Sequence, residues 1–313
     1  MKNYTPLLYL FIVISLINTA LIVFYFRSET ESVQTSIYIP EDTKIEHSMT
    51  TDIVLPEEME FAGEKVPLHR LDIQEALRKE LIVNTYLHSH TIQTLKTAPR
   101  VFAIIEPILK EAGIPDDFKY LAVIESNLNP SAVSPAGATG IWQFMEGTGK
   151  EFGLEINPEV DERYHIEKST RAATRYLRKG FDRFSSWTTT AASYNAGMSM
   201  VSRQSDLQKE QNYYSLLLGD ETERYVFRIL ALKQIMNNPT LYNFLVTTVY
   251  PVEETKNIKV NTPVKDWALF AREHDISYKT LKRFNPWLRK NDLKNPYRKT
   301  YEIRIPEDEK NYK

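Results

Sequence analysis

The sequence predicts a mainly α-helical protein with a small α+β domain near its C-terminal end and a transmembrane helix near its N-terminal end. Apolar residues recur at helical spacing from about residue 70 to about residue 240. Segments 257–260 and 301–306 instead alternate as strands do, and they flank two short helical patterns. Leu7–Phe26 is a nearly unbroken apolar run. A chain of 313 residues has room for about two domains besides such a segment.

Composition excludes several classes of function. The hydrophobic fraction is 42% and the charged fraction 26%, as in ordinary globular proteins. The net charge of −2 gives no reason to expect a nucleic-acid partner. The absence of cysteine excludes disulfides, thiol catalysis and cysteine-ligated zinc. The histidines, including His88 and His90, do not have the spacing of metal ligands, so we expect neither a metal nor another cofactor.

The N-terminal segment is predicted to be a membrane anchor. Leu7–Phe26 is long enough to span a bilayer, and Ala20 is followed by large apolar residues where a cleavage site would need small ones. We therefore expect an uncleaved anchor, with a cleaved signal peptide as the alternative. Lys2 lies before the span, which favours a cytoplasmic N-terminus with everything after residue 27 outside. Residues 28–66 are predicted to be a tether.

The helical region is punctuated by proline and glycine. A first helix is expected from about residue 70 until Pro99 interrupts it, and a second, with a possible kink at Pro107, is expected to stop at Gly113. Pro115 and the two acidic residues after it then favour the start of the helix that carries Glu125. Pro130 ends that helix, so Glu125 is predicted to lie in its last turn, facing a loop.

Glu125 is the most informative residue of the chain. It follows the apolar run Tyr120–Ile124, so its carboxyl group is expected to be buried. Burial disfavours the charged form and keeps the proton near neutral pH, as a general acid requires. The alternative is a structural glutamate held by hydrogen bonds, because structural networks also perturb carboxylates.

Three further motifs follow Glu125. The loop Ser131–Gly140 is rich in small residues and leads into Ile141–Met145, in which Gln143 is a single amide among apolar neighbours. A long helix is predicted over Ile166–Phe184. After it, a short helix capped by Ser185-Ser186 contains Ala191–Gly197, and Glu221–Val226 opens the last helix of the region.

Together with Glu125-Ser126, these motifs resemble the catalytic module of the soluble-type lytic transglycosylases. That family has a goose-lysozyme-like helical fold, and the similarity covers about residues 100–240, within a domain expected at 67–245. The chain departs from the family at Ile141-Trp142, where the family often has Leu-Met, and at Ala192-Ser193, where it often has Ala-Ala.

The resemblance implies a peptidoglycan substrate, cut at the β-1,4 link between N-acetylmuramic acid and N-acetylglucosamine to leave a 1,6-anhydro end. Glu125 corresponds to the sole acid/base, and Tyr194 is expected to bond or orient it. The residues that correspond to the sugar cleft are Ser134, Gln143, Met145, Tyr194, Asn195, Glu221 and Tyr225. The implied location is the inner membrane, with the catalytic domain in the periplasm.

Two other functions remain open on the same fold. A hydrolytic muramidase needs a second carboxylate. Glu146 or Glu151 could fold toward the cleft and supply it. The second alternative is a cell-wall binding protein without activity.

The C-terminal pattern of strand, helix, helix and strand over 257–307 resembles a LysM module, which implies glycan binding. Asn261-Thr262-Pro263 stands where the family usually has Gly-Asp-Thr. That departure weighs against glycan binding more than against the fold. The segment Pro251–Thr255 is predicted to be a junction, so few core contacts should be shared across it.

Overall fold

A computed structural model describes residues 52–308. A hairpin of β1 (Glu60–Phe61) and β2 (Glu64–Lys65) precedes the helical region. The helices of that region are α1 (Leu71–Tyr86), α2 (His88–Glu111), α3 (Lys119–Ser126), α4 (Glu146–Glu151), α5 (Ile166–Phe184), α6 (Trp187–Ala196), α7 (Met198–Gln208) and α8 (Asp220–Asn237). The C-terminal part contains β3 (Thr255–Val260), α9 (Trp267–Glu273), α10 (Tyr278–Phe284) and β4 (Tyr301–Pro306).

The first two helices are divided at a different point from the one predicted. The break lies at Leu87, whose φ of −80° and ψ of 55° are not helical, and both Pro99 and Pro107 lie inside α2. A proline inside a helix costs about 3 kcal/mol. Val101 and Ile105 are buried on α2, and burial of that apolar face offsets the cost. The expected interruption at Pro99 is therefore wrong.

Helix α3 carries Glu125 in its last turn, as the sequence predicts, but it begins only at Lys119 and ends at Ser126, before Pro130. A short 3-10 turn at Asp116–Phe118 leads into it, and Asn127 closes it in the left-handed conformation at a φ of 53°. Leu128 also has a positive φ, 61°, yet is only 1% exposed. Burial of its side chain offsets a backbone conformation that non-glycine residues rarely adopt. The two left-handed residues turn the chain sharply after Glu125.

Helix α6 receives caps from two parts of the chain. Ser186 accepts a hydrogen bond from the backbone N–H of Thr189, as its position before the helix predicts. The carboxylate of Glu64, on the β-hairpin, accepts from the backbone N–H of Trp187 and of Thr188. A carboxylate at a helix N-terminus also interacts favourably with the helix dipole. The capped helix ends at Gly197, beside the site described below.

The C-terminal part has the predicted strand-helix-helix-strand order. β3 and β4 are antiparallel, with Val260 opposite Tyr301 and Thr255 opposite Pro306. α9 begins at Trp267, because Asp266 accepts a hydrogen bond from the backbone N–H of Ala268 and caps the helix there.

Two apolar cores lie within the described residues. The larger one joins the hairpin and the helices of the helical region. The smaller one fills the C-terminal part, but it also contains Val160 and Tyr164 from the segment between α4 and α5. The expectation that few core contacts cross the junction at Pro251–Thr255 is therefore wrong. Local composition marks the junction but carries no sign of Val160 and Tyr164, which lie about a hundred residues earlier in the chain.

The predicted membrane span, Leu7–Phe26, lies outside the described residues, as does the predicted tether up to residue 51. Residues 52–66 are not the tether that was predicted, because they contain the β-hairpin and bury Ile53, Phe61 and Val66 in the larger core. Across residues 52–308, no helix is both long enough and apolar enough to cross a bilayer.

Candidate active site

Glu125 lies in the last turn of α3, where it meets α8. Its Oε1 atom accepts a hydrogen bond from the hydroxyl of Tyr225, a residue 2% exposed on α8. Arg228, one turn further along α8, donates to the backbone carbonyl of Ile124 at 3.4 Å. The carboxyl group thus has one neutral donor and one nearby cation.

The surroundings of Glu125 favour its protonated form. Burial raises the pKa of Glu125 to about 7, and the Tyr225 hydrogen bond and the Arg228 charge reduce that rise. The charge of Glu221 acts in the same direction as burial. A carboxyl group with a pKa near 7 holds its proton over part of the neutral range and can also release it, as both halves of acid/base catalysis require.

The loop after α3 folds into a compact turn. Val133 bridges Thr139, and Thr139 in turn bridges Phe144. Ser134 closes the turn, since its Oγ accepts from the backbone N–H of Ala138 at 3.0 Å. At Gly140, φ is 81°, and an added Cβ would lie 1.9 Å from the Arg163 carbonyl oxygen. Only glycine fits there, because both the conformation and the space exclude a side chain.

Gln143 supports this loop from within. Its Nε2 donates to the carbonyl oxygen of Gly140 at 2.8 Å and to that of Ala132 at 3.3 Å. Gln143 itself has a φ of 49°, a conformation that is uncommon outside glycine. Its amide nitrogen is therefore committed to loop structure. Met145, which precedes α4, is 46% exposed at the loop end.

Tyr194 does not make the predicted bond to the acid. Its hydroxyl donates to the backbone carbonyl of Trp142 at 2.8 Å, and the bond to Glu125 comes from Tyr225 instead. The indole N–H of Trp142 itself donates to the hydroxyl of Thr170 on α5 at 2.9 Å. Tyr194 remains near the acid: burial raises its pKa well above the usual range, and the charge of Glu125 adds to the rise.

Asn195 and Glu221 join the end of α6 to the start of α8. The Nδ2 of Asn195 donates to Glu221 at 3.3 Å, and its Oδ1 accepts from the Thr222 hydroxyl at 2.8 Å. The predicted cleft residues Glu125, Tyr194, Asn195, Glu221 and Tyr225 are thus linked by contacts or charge. Ser134, Gln143 and Met145 belong to the adjoining loop.

Glu146 and Glu151, which could have supplied the second carboxylate of a hydrolase, form ion pairs away from Glu125. Glu146 pairs with Lys150 at 2.6 Å and Glu151 with Lys179 at 2.7 Å, both at exposed positions. Glu221 is instead the carboxylate that acts on Glu125. Within residues 52–308, no group of three or more His, Cys, Asp or Glu side chains could hold a metal ion.

Sequence reasoning missed Arg163, Arg228 and Thr222. Arg163 is buried, and its guanidinium donates to the loop carbonyls of Gly137 and Phe144, each at 3.2 Å. Arg228 lies one turn after Tyr225 on the same helix, so helical spacing could have predicted that the two side chains share a face. The contact of Arg163 with the loop carries no local signal, because it depends on tertiary structure.

Comparison with known proteins is consistent with this arrangement. Residues 102–217 match the family described as the transglycosylase SLT domain. The chain carries an SLT domain. Residues 256–309 match the soluble lytic transglycosylase C-terminal LysM-like domain. The SLT match includes Glu125 and the loop after it, whereas Glu221 and Tyr225 lie beyond its end.

The chain is homologous to membrane-bound lytic murein transglycosylase D of Escherichia coli. The two are 32% identical over 220 residues, which is 68% of this chain and 47% of that protein. The chain therefore spans about half the length of this relative.

Two solved structures of lytic transglycosylases are also similar. The 70 kDa soluble lytic transglycosylase of Escherichia coli is 26% identical, with 44% of this chain and 25% of that chain covered and a TM-score of 0.37. An inactive mutant of lytic transglycosylase Slt from Pseudomonas aeruginosa is 23% identical, with 44% and 24% covered and a TM-score of 0.36.

Proposed function

We propose that this protein is a peptidoglycan lytic transglycosylase in which Glu125 is the sole acid/base. The observation that carries the proposal is a partly buried glutamate with a pKa of about 7 in the SLT domain, held by a tyrosine hydroxyl. The substrate is the glycan strand, cut between N-acetylmuramic acid and N-acetylglucosamine. The name of the homologue and the two domains matched in this chain support this assignment.

In the first step, protonated Glu125 donates its proton to the oxygen of the glycosidic bond. The bond from that oxygen to C1 of muramic acid breaks, and positive charge develops at C1. The Tyr225 hydroxyl and the Arg228 guanidinium stabilise the carboxylate that remains, since a donor and a cation both favour the charged form.

In the second step, the Glu125 carboxylate takes the proton of the muramic acid C6 hydroxyl, whose oxygen closes on C1. The 1,6-anhydro ring forms without water, and Glu125 returns to its protonated state. One carboxyl group is sufficient, whereas retaining and inverting glycosidases need two. We assign Tyr194, Asn195, Glu221, Ser134, Gln143 and Met145 to the walls of the cleft. For Gln143, contact with sugar is left to the amide oxygen, because the nitrogen binds the loop.

Mass spectrometry of digested peptidoglycan tests this function. We expect muropeptides with 1,6-anhydro ends. Reducing ends would instead identify the hydrolytic alternative, in which Glu221 is the candidate for the second carboxylate because its charge reaches Glu125. Uncut glycan would leave the protein as a wall-binding protein without activity.

The pH dependence of cleavage should follow Glu125. Its pKa of about 7 means that the acid form is lost as the pH rises through that value, so kcat/KM should fall on the alkaline side. The Tyr225 hydrogen bond lowers this pKa, so Tyr225→Phe should move the alkaline limb to higher pH and slow the step that needs the carboxylate. The measurement is a pH profile of kcat/KM on soluble glycan fragments.

Tyr120→Phe is the matched control for that profile. Tyr120 lies on the same helix as Glu125, and its hydroxyl donates to Asn237 at 2.8 Å. Its removal should leave the alkaline limb unmoved. A limb shifted to lower pH in Tyr225→Phe would contradict the assigned role of the hydroxyl.

We further propose that Leu7–Phe26 anchors the protein in the inner membrane with the SLT and LysM-like domains in the periplasm. The apolar run and the membrane-bound homologue support this. The mature protein should fractionate with membranes and keep its N-terminal residues. A soluble form that begins near residue 27 would instead support a cleaved signal.

A further inference from the structure

The segment between α4 and α5, residues 155–165, contacts both the C-terminal domain and the loop beside Glu125. We call it the bridging segment. Its backbone pairs with the C-terminal domain: Val160 forms a β-bridge with Leu288, and the N–H of Asp161 donates to the carbonyl of Trp287 at 2.9 Å. The N–H of Arg289 donates back to the carbonyl of Glu159 at 2.8 Å. These are strand-like contacts, which fix the two backbones in register.

Side chains extend the same contact. Val160 and Tyr164 are buried in the apolar core of the C-terminal domain together with Trp287 and Leu288. The hydroxyl of Tyr301 donates to Glu155 at 2.9 Å, and Lys299 pairs with the same carboxylate. Without the C-terminal domain, the side chains of Val160 and Tyr164 would be exposed to water.

On its other side, the bridging segment holds the loop beside Glu125 through Arg163. The Nη1 of Arg163 donates to the carbonyls of Gly137 and Phe144, and its Nε and Nη2 donate to Asp161 at 3.0 and 2.7 Å. The side chains of Arg163 and Asp161 are each only 10% exposed. Asp161 therefore joins both contacts: its carboxylate orients Arg163, and its N–H is bound to Trp287.

The backbone of Arg163 also contacts the loop directly. Gly140 approaches the Arg163 carbonyl so closely that a Cβ would lie 1.9 Å from its oxygen. The loop is thus fitted against the bridging segment by both backbone packing and charged hydrogen bonds. A shift of the bridging segment would move Ser134, Gln143 and Met145 relative to Glu125.

We propose that Arg163 is a positioning residue for glycan cleavage, and that the C-terminal domain supports the cleft by holding the bridging segment. The proposal rests on the proposed function, because it takes the loop as part of the substrate cleft. Arg163 acts through the loop carbonyls and does not contact the reacting atoms. Lysine cannot replace it, because a single ammonium group does not reproduce the planar fork that reaches Asp161 and two carbonyls together.

The first test replaces Arg163 in the full-length protein. Arg163→Lys should raise KM for soluble glycan fragments about tenfold while kcat changes less, which corresponds to the loss of a charged hydrogen bond at the cleft. Hydrogen exchange at the amides of Thr139, Gly140 and Phe144 should become faster. Equal KM and equal loop exchange in Arg163→Lys and the wild type would overturn the proposal.

Arg178→Lys is the matched control. Arg178 also donates to two backbone carbonyls, those of Ala112 at 3.1 Å and Gly113 at 2.7 Å, but these lie at the end of α2. Arg178→Lys should leave both KM and hydrogen exchange in the loop unchanged. Faster loop exchange in this variant would show a general loosening and would overturn the specific role of Arg163.

The second test perturbs the C-terminal domain alone. Leu288→Ala removes a side chain that is 1% exposed opposite Val160, and Leu269→Ala removes an exposed leucine of the same domain as control. If Leu288→Ala fails to fold, Glu155→Gln replaces it in the test. This substitution keeps the shape of the side chain and weakens its contacts with Lys299 and Tyr301. Exchange in the loop should become faster in Leu288→Ala or Glu155→Gln and not in Leu269→Ala.

Loop exchange at the wild-type rate in folded Leu288→Ala and Glu155→Gln would overturn the supporting role of the C-terminal domain. Exchange does not depend on cleavage, so this result is separate from the proposed function. If the wild type released no anhydro-muropeptides, the proposed function would fail while the exchange measurements would still decide whether the domain holds the loop.

Discussion

Glu125→Gln is expected to abolish release of 1,6-anhydro-muropeptides, with a loss of at least about a thousandfold, because one group performs both proton transfers. The amide keeps the shape of the side chain and cannot donate an acidic proton. The fold should be retained. Circular dichroism and thermal unfolding would check the fold, and mass spectrometry of digested sacculi would check the activity.

The stability of this variant should also depend differently on pH. In the wild type, the pKa of Glu125 is raised to about 7 from the ordinary glutamate value of 4.5. A carboxyl group with a raised pKa binds its proton more tightly in the folded state than in the unfolded state. It therefore stabilises the fold at pH values below its unfolded-state pKa, and that contribution is lost as the pH rises through about 7. Glutamine does not titrate, so Glu125→Gln should lose less stability than the wild type between pH 5 and pH 8.

Glu146→Gln is the control for Glu125→Gln. Glu146 is an exposed carboxylate of the same domain, paired with Lys150. Its replacement should leave cleavage close to the wild-type rate. Anhydro-muropeptides released by purified Glu125→Gln at near the wild-type rate would show that the acid/base is another residue.

Gly140→Ala is expected to have the second largest effect. The new methyl group would lie 1.9 Å from the carbonyl oxygen of Arg163 and 2.7 Å from its carbonyl carbon, so backbone must move. The positive φ of 81° adds strain of roughly 1–2 kcal/mol. Displacement of the loop should lower the melting temperature and reduce kcat/KM on soluble fragments by about a hundredfold or more, because small misplacements at a cleft are costly.

Gly137→Ala separates the effect of backbone strain from the effect of the contact with Arg163. Gly137 has a similar φ of 86°, yet nothing lies within 4 Å of an added Cβ. It should therefore lose stability through backbone strain alone, with much less effect on cleavage. Similar melting temperatures and similar activities for the two variants would mean that the contact with Arg163 does not constrain the loop.

The sequence predicted those features that depend on local pattern. The helix Ile166–Phe184 has the predicted ends, because its apolar period and its polar flanks agree. The position of Glu125 in the last turn of its helix follows from Pro115 and Pro130 in the same way. The SLT and LysM-like domains were also identified from motifs, since each motif is a short run of neighbouring residues.

Features that depend on tertiary packing were predicted less well. Pro99 was expected to end a helix and lies inside one, because the buried face of α2 outweighs a local cost. Tyr194 was expected to bond or orient Glu125; its hydroxyl instead donates to the Trp142 carbonyl, and the bond to Glu125 comes from Tyr225. Asp161 and Arg163 join two domains through contacts that no spacing in the chain encodes.

The central claim is that Glu125 closes the anhydro ring without water. Digestion of purified peptidoglycan in water enriched in heavy oxygen, followed by mass spectrometry, tests it most directly. Wild-type protein should release muropeptides with 1,6-anhydro ends and no heavy oxygen, and Glu125→Gln should release none of these products. Reducing ends that carry heavy oxygen at C1 as the main wild-type product would contradict it.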